Sequence, residues 1–315
     1  MGTQYAYFQK QFVPLSEAKI GVMTHAFNYG TGVFEGIRGN WNADQQQLYL
    51  FRVRDHFERF RRSCEIMKIH LPYSIDDYCE LTLQLVQMCG YQEDMYVRPI
   101  GYKSGEVIGV KLHGIADDFL MFVAPLGAYI DFEIGARCGT VAWQQISDNM
   151  IPTLAKVTGK YVNSAFAKTE ANENGYDEAI QLTASGHVSE GSGENIFIVW
   201  RNTLITPPVS DDILVGITRE SVITLAREQL GVETVERSIV RSELYTADEC
   251  FMTGTAAHVT PVIEVDQRKV GDGGLGPITG RLKDLYFDVI QGKNPKYLDW
   301  CTPAYSRERV ASPSS

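Results

Sequence analysis

The sequence predicts an α+β protein of two domains. Length is the first observation: 315 residues, at about 100–200 per domain, make two domains or one large one. Composition is the second. With 44% hydrophobic and 22% charged residues the chain is ordinary globular protein, which excludes bulk disorder. The third is that strand-like and helix-like patterns run to residue 125, break at P-L-G-A-Y-I-D-F-E-I-G (125–135), and start again. The expected division is a smaller α+β domain at 1–125, a linker at 126–135 and a larger α+β domain at 136–315. A ligand site is expected at the interface of the two domains, in the crevice between them.

The elements follow in order. In D-H-F-E-R-F-R-R-S-C-E-I-M (55–67), Phe57, Phe60, Cys64 and Met67 recur at steps of three and four. That spacing predicts an amphipathic helix, with Asp55 as its cap. Ser74 is expected to cap the next helix, whose stripe includes Ile75, Cys79, Val86 and Cys89, and Gly90 to end it. Met95 to Tyr102 and Phe119 to Ala124 read as strands, the latter buried. Beyond the linker, strands are expected at Thr140–Gln144, Glu178–Leu182, Asn195–Trp200 and Cys250–Met252, and helices near Lys160–Asn174 and Ile217–Leu230. No internal repeat is visible, and the polar tail from Pro303 is expected to fray.

A net charge of −10 argues against a surface built for nucleic acid or an anionic membrane. No segment reaches the roughly 18 apolar residues of a membrane span. The N-terminus lacks the basic start and apolar core of a secretory signal, and Ala6 breaks the myristoylation pattern. The six cysteines include no Cys-x-x-Cys pair. They read as reduced thiols of a cytoplasmic protein, with no metal site.

Five stretches hold residues suited to chemistry. G-H-V-S-E-G-S-G-E-N-I-F (186–197) is either a hairpin with a wide glycine turn and two solvated carboxylates, or a place where backbone meets a ligand with Glu190 and Glu194 turned inward. It is neither a phosphate-binding Walker loop nor a dinucleotide fingerprint. In L-V-G-I-T-R-E-S-V (214–222), Thr218 reads as a helix N-cap, an ordinary one or one that receives a phosphate. F-M-T-G-T-A-A-H-V-T-P-V (251–262) ends a strand in small residues, for tight packing or for a ligand, and His258 there reads as structural. Among Arg52, Arg54, Arg59, Arg61 and Arg62, most belong to a solvated helix face, while one turned inward would clamp a phosphate. Lys156 and Lys160 stand four apart, with Lys156 in the more apolar setting, between Leu154, Ala155 and Val157. A phosphate clamp, an amine nucleophile and a carboxylate together suit pyridoxal phosphate.

Several motifs then carry a family resemblance: H-A-F-N-Y-G-T-G-V-F-E-G-I-R (25–38), Y-V-R-P (96–99), A-K-V-T-G-K-Y (155–161), E-G-S-G-E-N (190–195), G-I-T-R (216–219) and G-T-A-A (254–257). From about Ala18 to Gln291 the chain resembles the class IV, or fold-type IV, pyridoxal-phosphate aminotransferases, and within them the branched-chain amino acid aminotransferases. The resemblance implies a D-amino acid aminotransferase-like two-domain fold, whose larger domain binds pyridoxal 5'-phosphate.

Roles follow from it position by position. Lys156 would be the Schiff-base lysine and proton shuttle, and Glu190 would pair with the pyridine nitrogen. Arg59, Ile217, Thr218 and Thr255 would bind the phosphate, and Tyr161 the phenolic oxygen. Thr255, Ala256 and Tyr96 would seat the substrate carboxylate, with Ala257 beside them. Tyr29, Phe34, Gly36, Arg38, Tyr96 and Arg98 match the branched-chain pocket. Ile108, Gly109 and Val110, with Tyr29, resemble elements that reach a neighbouring subunit, which implies a homodimer or higher oligomer.

The implied activity is transfer of the amino group between L-leucine, L-isoleucine or L-valine and 2-oxoglutarate. Same-fold alternatives are a D-amino acid or (R)-amine transaminase and an aminodeoxychorismate lyase. Three positions depart from the pattern. Lys160 stands where many relatives have Asn, Leu126 where many have an aromatic residue, and His258 where an acidic residue is common.

Overall fold

The computed structural model describes residues 4–127 and 135–305. They divide into two compact units, one of residues 4–127, 155–159 and 288–305, the other of 135–154 and 160–287. Most of the expected linker (128–134) and of the polar tail (306–315) lies outside the described residues.

In the first unit an antiparallel sheet runs in the order Cys301–Pro303, Gln47–Phe51, Ile37–Asn42, Met95–Lys103, Asp117–Pro125, Tyr5–Phe8 and Gln11–Pro14. Gly32–Phe34 pairs with the far half of Met95–Lys103. Helices Val53–Ile66 and Ile75–Cys89 bury an aromatic cluster against it. Phe57 stacks on Tyr78 at 4.9 Å, and Tyr78 and Phe60 meet Phe119 at 5.0 and 5.8 Å. Each such fully buried ring contributes about 2–3 kcal/mol of apolar transfer free energy.

The helix Ile75–Cys89 has the expected ends. Ser74 and Asp77 form a reciprocal capping box, and Gly90 closes the helix in the left-handed conformation. The helix before it differs from expectation: it starts at Val53 after Arg52, which is itself left-handed. Asp55 therefore lies in the first turn and accepts from Arg52 Nε at 2.8 Å instead of capping. Asp117–Pro125 is longer than expected and only alternately buried, since one face of it is turned from the helices.

Residues 288–305, expected in the second domain, belong to the first unit. Cys301–Pro303 pairs with Gln47–Phe51, Asn42 Nδ2 donates to Gln291 O at 2.8 Å, and Gln87 Nε2 to Ala304 O at 2.8 Å. Residues 155–159 join the same unit through an antiparallel bridge of Val33 with Val157 and a Gly159 N–H bond to Gly30 O at 3.1 Å.

In the second unit, among the described residues, six strands pair in a closed ring: Ala136–Thr140, Glu178–Leu182, Val188–Gly191, Asn195–Trp200, Glu249–Gly254 and His258–Val265. The ring closes through one residue pair, Glu190 with Asn195. Ile180, Val188, Ile196, Ile198, Met252 and Val262 belong to its core. The strand expected at Thr140–Gln144 instead ends at Thr140, whose N–H and hydroxyl both donate to Asp266. Trp143 then stacks on Phe166 of the helix Tyr161–Glu173 at 4.5 Å. The helix Ile217–Leu225, continued by a π turn to Leu230, is capped by Gly216, so Thr218 lies one position inside it.

Candidate active site

The first unit holds Phe34, Gly36, Arg38, Tyr96, Arg98 and Lys156. The main chain of Lys156 is fixed twice: its N–H donates to Ser63 Oγ at 3.2 Å and its carbonyl accepts from Phe34 N at 3.0 Å. This points a half-buried side chain along the Phe34 ring, with Nζ 4.9 Å from the centroid. Of the three apolar neighbours in sequence, Ala155 and Val157 are buried but Leu154 is exposed. The apolar contact comes from Phe34.

Arg98 lies over both Phe34 and Tyr96, 4.5 and 4.9 Å from their centroids, and donates from Nη2 to Tyr96 Oη at 3.0 Å. Arg38 is the cross-strand partner of Tyr96. Its Nη2 donates to Asp94 and to the carbonyls of Leu126 and Gly127. Nε and Nη1 of Arg38 and Nε of Arg98 are buried polar atoms with no partner among the described residues. Gly36 packs under the Tyr96 phenol: a Cβ there would stand 2.0 Å from Oη.

Of the five clustered arginines only Arg59 is buried. Its Nε and Nη2 donate to the two oxygens of Glu35 at 2.7 Å each. Tyr29 and Val110 stand in a different cluster. Gly109 N donates to Tyr29 Oη at 3.1 Å, and His25 Nε2 lies 2.7 Å from Gly109 O.

In the second unit the glycine-rich stretch is a hairpin, but its carboxylates are buried, Glu190 being 9% and Glu194 6% exposed. Glu190 receives donors on both oxygens. Gln145 Nε2 reaches Oε1 at 2.5 Å and Lys160 Nζ reaches it at 3.5 Å. Leu214 N reaches Oε2 at 3.0 Å and Asn195 Nδ2 reaches it at 3.4 Å. Asn195 also donates to Leu214 O at 2.8 Å, tying the hairpin to the loop before the helix Ile217–Leu225. Gly216 fits tightly there, since a Cβ would stand 2.1 Å from Asn195 Oδ1.

Ile217 and Thr218 open that helix, whose positive end attracts anions. Thr255, Ala256 and Ala257 form the turn between the strands Glu249–Gly254 and His258–Val265. Gly254, at the start of the turn, packs on Glu194. Tyr161 begins its helix, half-buried. Burial, with the Glu178 charge beside it, pushes the Glu194 carboxyl up to about 8.

Four participants escaped the sequence reading: Glu35, Gln145, Asn195 and the Leu214 N–H. Glu35 and Asn195 sit inside quoted motifs, whereas nothing marks Gln145. The lysine beside Glu190 is Lys160, noted above only as a departure. The cysteines have no catalytic setting, since burial raises the thiols of Cys64, Cys138 and Cys250 and pushes that of Cys301 up to about 12.

The amino-transferase class IV profile matches residues 32–265. A probable branched-chain-amino-acid aminotransferase of Aquifex aeolicus is 46% identical over 303 residues, 96% of this chain and 97% of that one. The branched-chain aminotransferase of Thermoproteus uzoniensis, solved with norvaline, matches with a TM-score of 0.92 at 45% identity, over 96% of this chain and 100% of that one. The Thermobaculum terrenum enzyme in its PLP form matches with a TM-score of 0.92 at 34% identity, over 97% and 99%. With sequence and fold agreeing over nearly its whole length, the chain belongs to the class IV aminotransferases, fold-type IV enzymes that use pyridoxal phosphate.

Proposed function

We propose that the chain transfers the amino group between L-leucine, L-isoleucine or L-valine and 2-oxoglutarate. One observation carries the substrate reading: Arg98 lies over the aromatic faces of Phe34 and Tyr96, Arg38 pairs across the sheet with Tyr96, and both guanidinium groups keep buried N–H atoms without a partner among the described residues. An apolar wall suits a branched side chain. Buried guanidinium donors suit the distal carboxylate of glutamate or 2-oxoglutarate. A single pocket must take both kinds of substrate, because the two half-reactions share it.

The donor set also fits the cofactor. Glu190 is a buried carboxylate fixed by donors on both oxygens, and the amides of Ile217 and Thr218 stand at a helix start behind a glycine whose added Cβ would stand 2.1 Å from Asn195 Oδ1. When bound, pyridoxal phosphate supplies a carbonyl for the amino group and a ring that withdraws electrons from the substrate carbon. Lys156 anchors it and moves the proton at the substrate Cα. Glu190 holds a proton on the ring nitrogen, and Tyr161 holds the phenolic oxygen. Arg59, Ile217, Thr218 and Thr255 bind the phosphate. Tyr96, Thr255 and Ala256 orient the substrate carboxylate, while Tyr29, Phe34, Gly36, Arg38, Arg98, Val110 and Ala257 line its side chain.

The working form is a homo-oligomer, at least a dimer. Val22, Phe27, Ile108 and Val110 are exposed apolar residues, and the pair of bonds through Gly109 ties their two loops together. We place the protein in the cytoplasm on its six unpaired cysteines.

The test is the visible spectrum of purified protein before and after L-leucine, with no keto acid added. Loss of the cofactor's visible band in favour of a near-ultraviolet band supports the reading. A visible band that L-leucine leaves unchanged but D-alanine or (R)-1-phenylethylamine removes would overturn the substrate.

A further inference from the structure

Lys160 has no role in the reaction as set out above, yet it is a buried ammonium 3.5 Å from Oε1 of Glu190. Both groups belong to the second unit. Lys160 ends the turn Thr158–Lys160 and opens the helix Tyr161–Glu173, so its backbone is held by structure on both sides. Placing a lysine there costs desolvation that only a nearby negative charge offsets.

The separation decides what the contact does. At 3.5 Å the hydrogen bond is weak, and Gln145 at 2.5 Å and Leu214 N at 3.0 Å are the donors that fix the carboxylate. What Lys160 adds is charge, which acts over longer distance in a buried setting. A carboxylate has about four acceptor sites, and four protein donors already address Glu190. A ring nitrogen that pairs with it must displace a long contact, and Lys160 and Asn195 make the two longest. Displacing the Lys160 hydrogen bond leaves its charge in place.

We propose that Lys160 is a positioning residue for charge: it offsets the Glu190 carboxylate that faces the cofactor ring, and so lowers the pH at which the bound cofactor titrates. The proposal rests on Glu190 being the partner of the ring nitrogen. Among the described residues, the charged groups about this hairpin include Glu194 beside Glu190, and Glu178 with its ion-pair partner Lys168 beside Glu194. Burial raises the Glu194 carboxyl to about 8, which favours its neutral form. Lys160 is thus the charge that varies the field at Glu190 when it is replaced.

The experiment is a pH titration of the visible band of the holoenzyme, without substrate, for wild type, Lys160→Gln, Lys160→Met and Lys160→Arg. Removing a cation favours the protonated form, so the Gln and Met variants should titrate about 0.5–1 pH unit higher, while Arg stays within about 0.2 of wild type. A Gln variant within about 0.2 unit of wild type overturns the proposal, as does an Arg variant that shifts as far as Gln, because geometry rather than charge would then be responsible. A Glu190→Gln holoenzyme whose band titrates as the wild type's does would instead overturn the reading of Glu190, and the proposal with it.

Discussion

Arg59 and Glu35 form a buried two-pronged ion pair, Nε to Oε1 and Nη2 to Oε2, each at 2.7 Å. His56 Nδ1 lies 2.7 Å from Oε2 of the same carboxylate. Burial would raise the Glu35 carboxyl, but the Arg59 charge and hydrogen bonds, with those of His56, outweigh it and hold it well below the ordinary range. The residue proposed to grip phosphate is therefore aimed by Glu35.

Removing the Glu35 charge leaves Arg59 buried beside a neutral amide. Glu35→Gln is expected to cost about 3–5 kcal/mol of stability, read from urea denaturation at neutral pH. Because the folded-state carboxyl is depressed, its contribution is full above the unfolded value and lost as pH falls. Wild type should weaken below about pH 4.5 more steeply than the variant. Equal acid profiles would show that the pair contributes little.

Lys156→Ala should lower turnover of L-leucine with 2-oxoglutarate by roughly a thousandfold or more. Its N–H and carbonyl keep their bonds to Ser63 and Phe34 in the variant, so the circular dichroism spectrum should stay near wild type. Near-normal turnover without added amine would move the assignment to Lys160.

Gly36→Ala would place a methyl 2.0 Å from Tyr96 Oη. The ring must tilt, and the 3.0 Å bond from Arg98 breaks with it. A roughly ten- to hundredfold fall in kcat/KM for L-leucine is expected, with the visible band of bound cofactor retained. Unchanged kinetics would remove Tyr96 from the substrate wall.

Glu194→Gln addresses a carboxyl raised to about 8 by burial and the neighbouring Glu178. A group that binds its proton more tightly when folded lowers stability as pH rises from the unfolded value, about 4.3, to the folded one. The variant should lose this slope and exceed wild type above pH 8 by about 1 kcal/mol or more, as read from melts across pH 5–9. A variant with the wild-type slope would show that Glu194 is ionised throughout.

Ile108→Asp puts a charge where an 86% exposed apolar side chain stands. If that loop meets a second copy, light scattering should show the mass falling to that of a monomer. An unchanged oligomer would place the interface elsewhere.

Local chemistry was legible in the sequence where it completes itself within a few residues. Ser74 with Asp77, and Gly90 behind them, specify a helix without help from the rest of the chain. Arg52 was not, because its left-handed conformation starts the helix two residues before Asp55. The strand Cys301–Pro303 was out of reach because pairing across the whole chain leaves no local pattern.

In the candidate site, the roles of Lys156 and Glu190 could be assigned only through a resemblance: apolar neighbours favour Lys156 over Lys160, but one of them, Leu154, is exposed, and the ring beside Lys156 is that of Phe34, distant in the chain. Burial of the hairpin carboxylates depends on ring closure through Glu190 and Asn195, which no segment shows alone.

Gln47 accepts the Tyr305 N–H at Oε1 and donates from Nε2 to Tyr305 O, across 258 residues of chain. A nascent chain leaving the ribosome at about 5–20 residues per second makes Gln47–Phe51 some tens of seconds before its partner strand exists. For that interval the first sheet has an open edge, the kind of surface on which unfinished chains aggregate. These late-made residues thus act as a selvedge, sealing a sheet whose other strands all lie within residues 5–125.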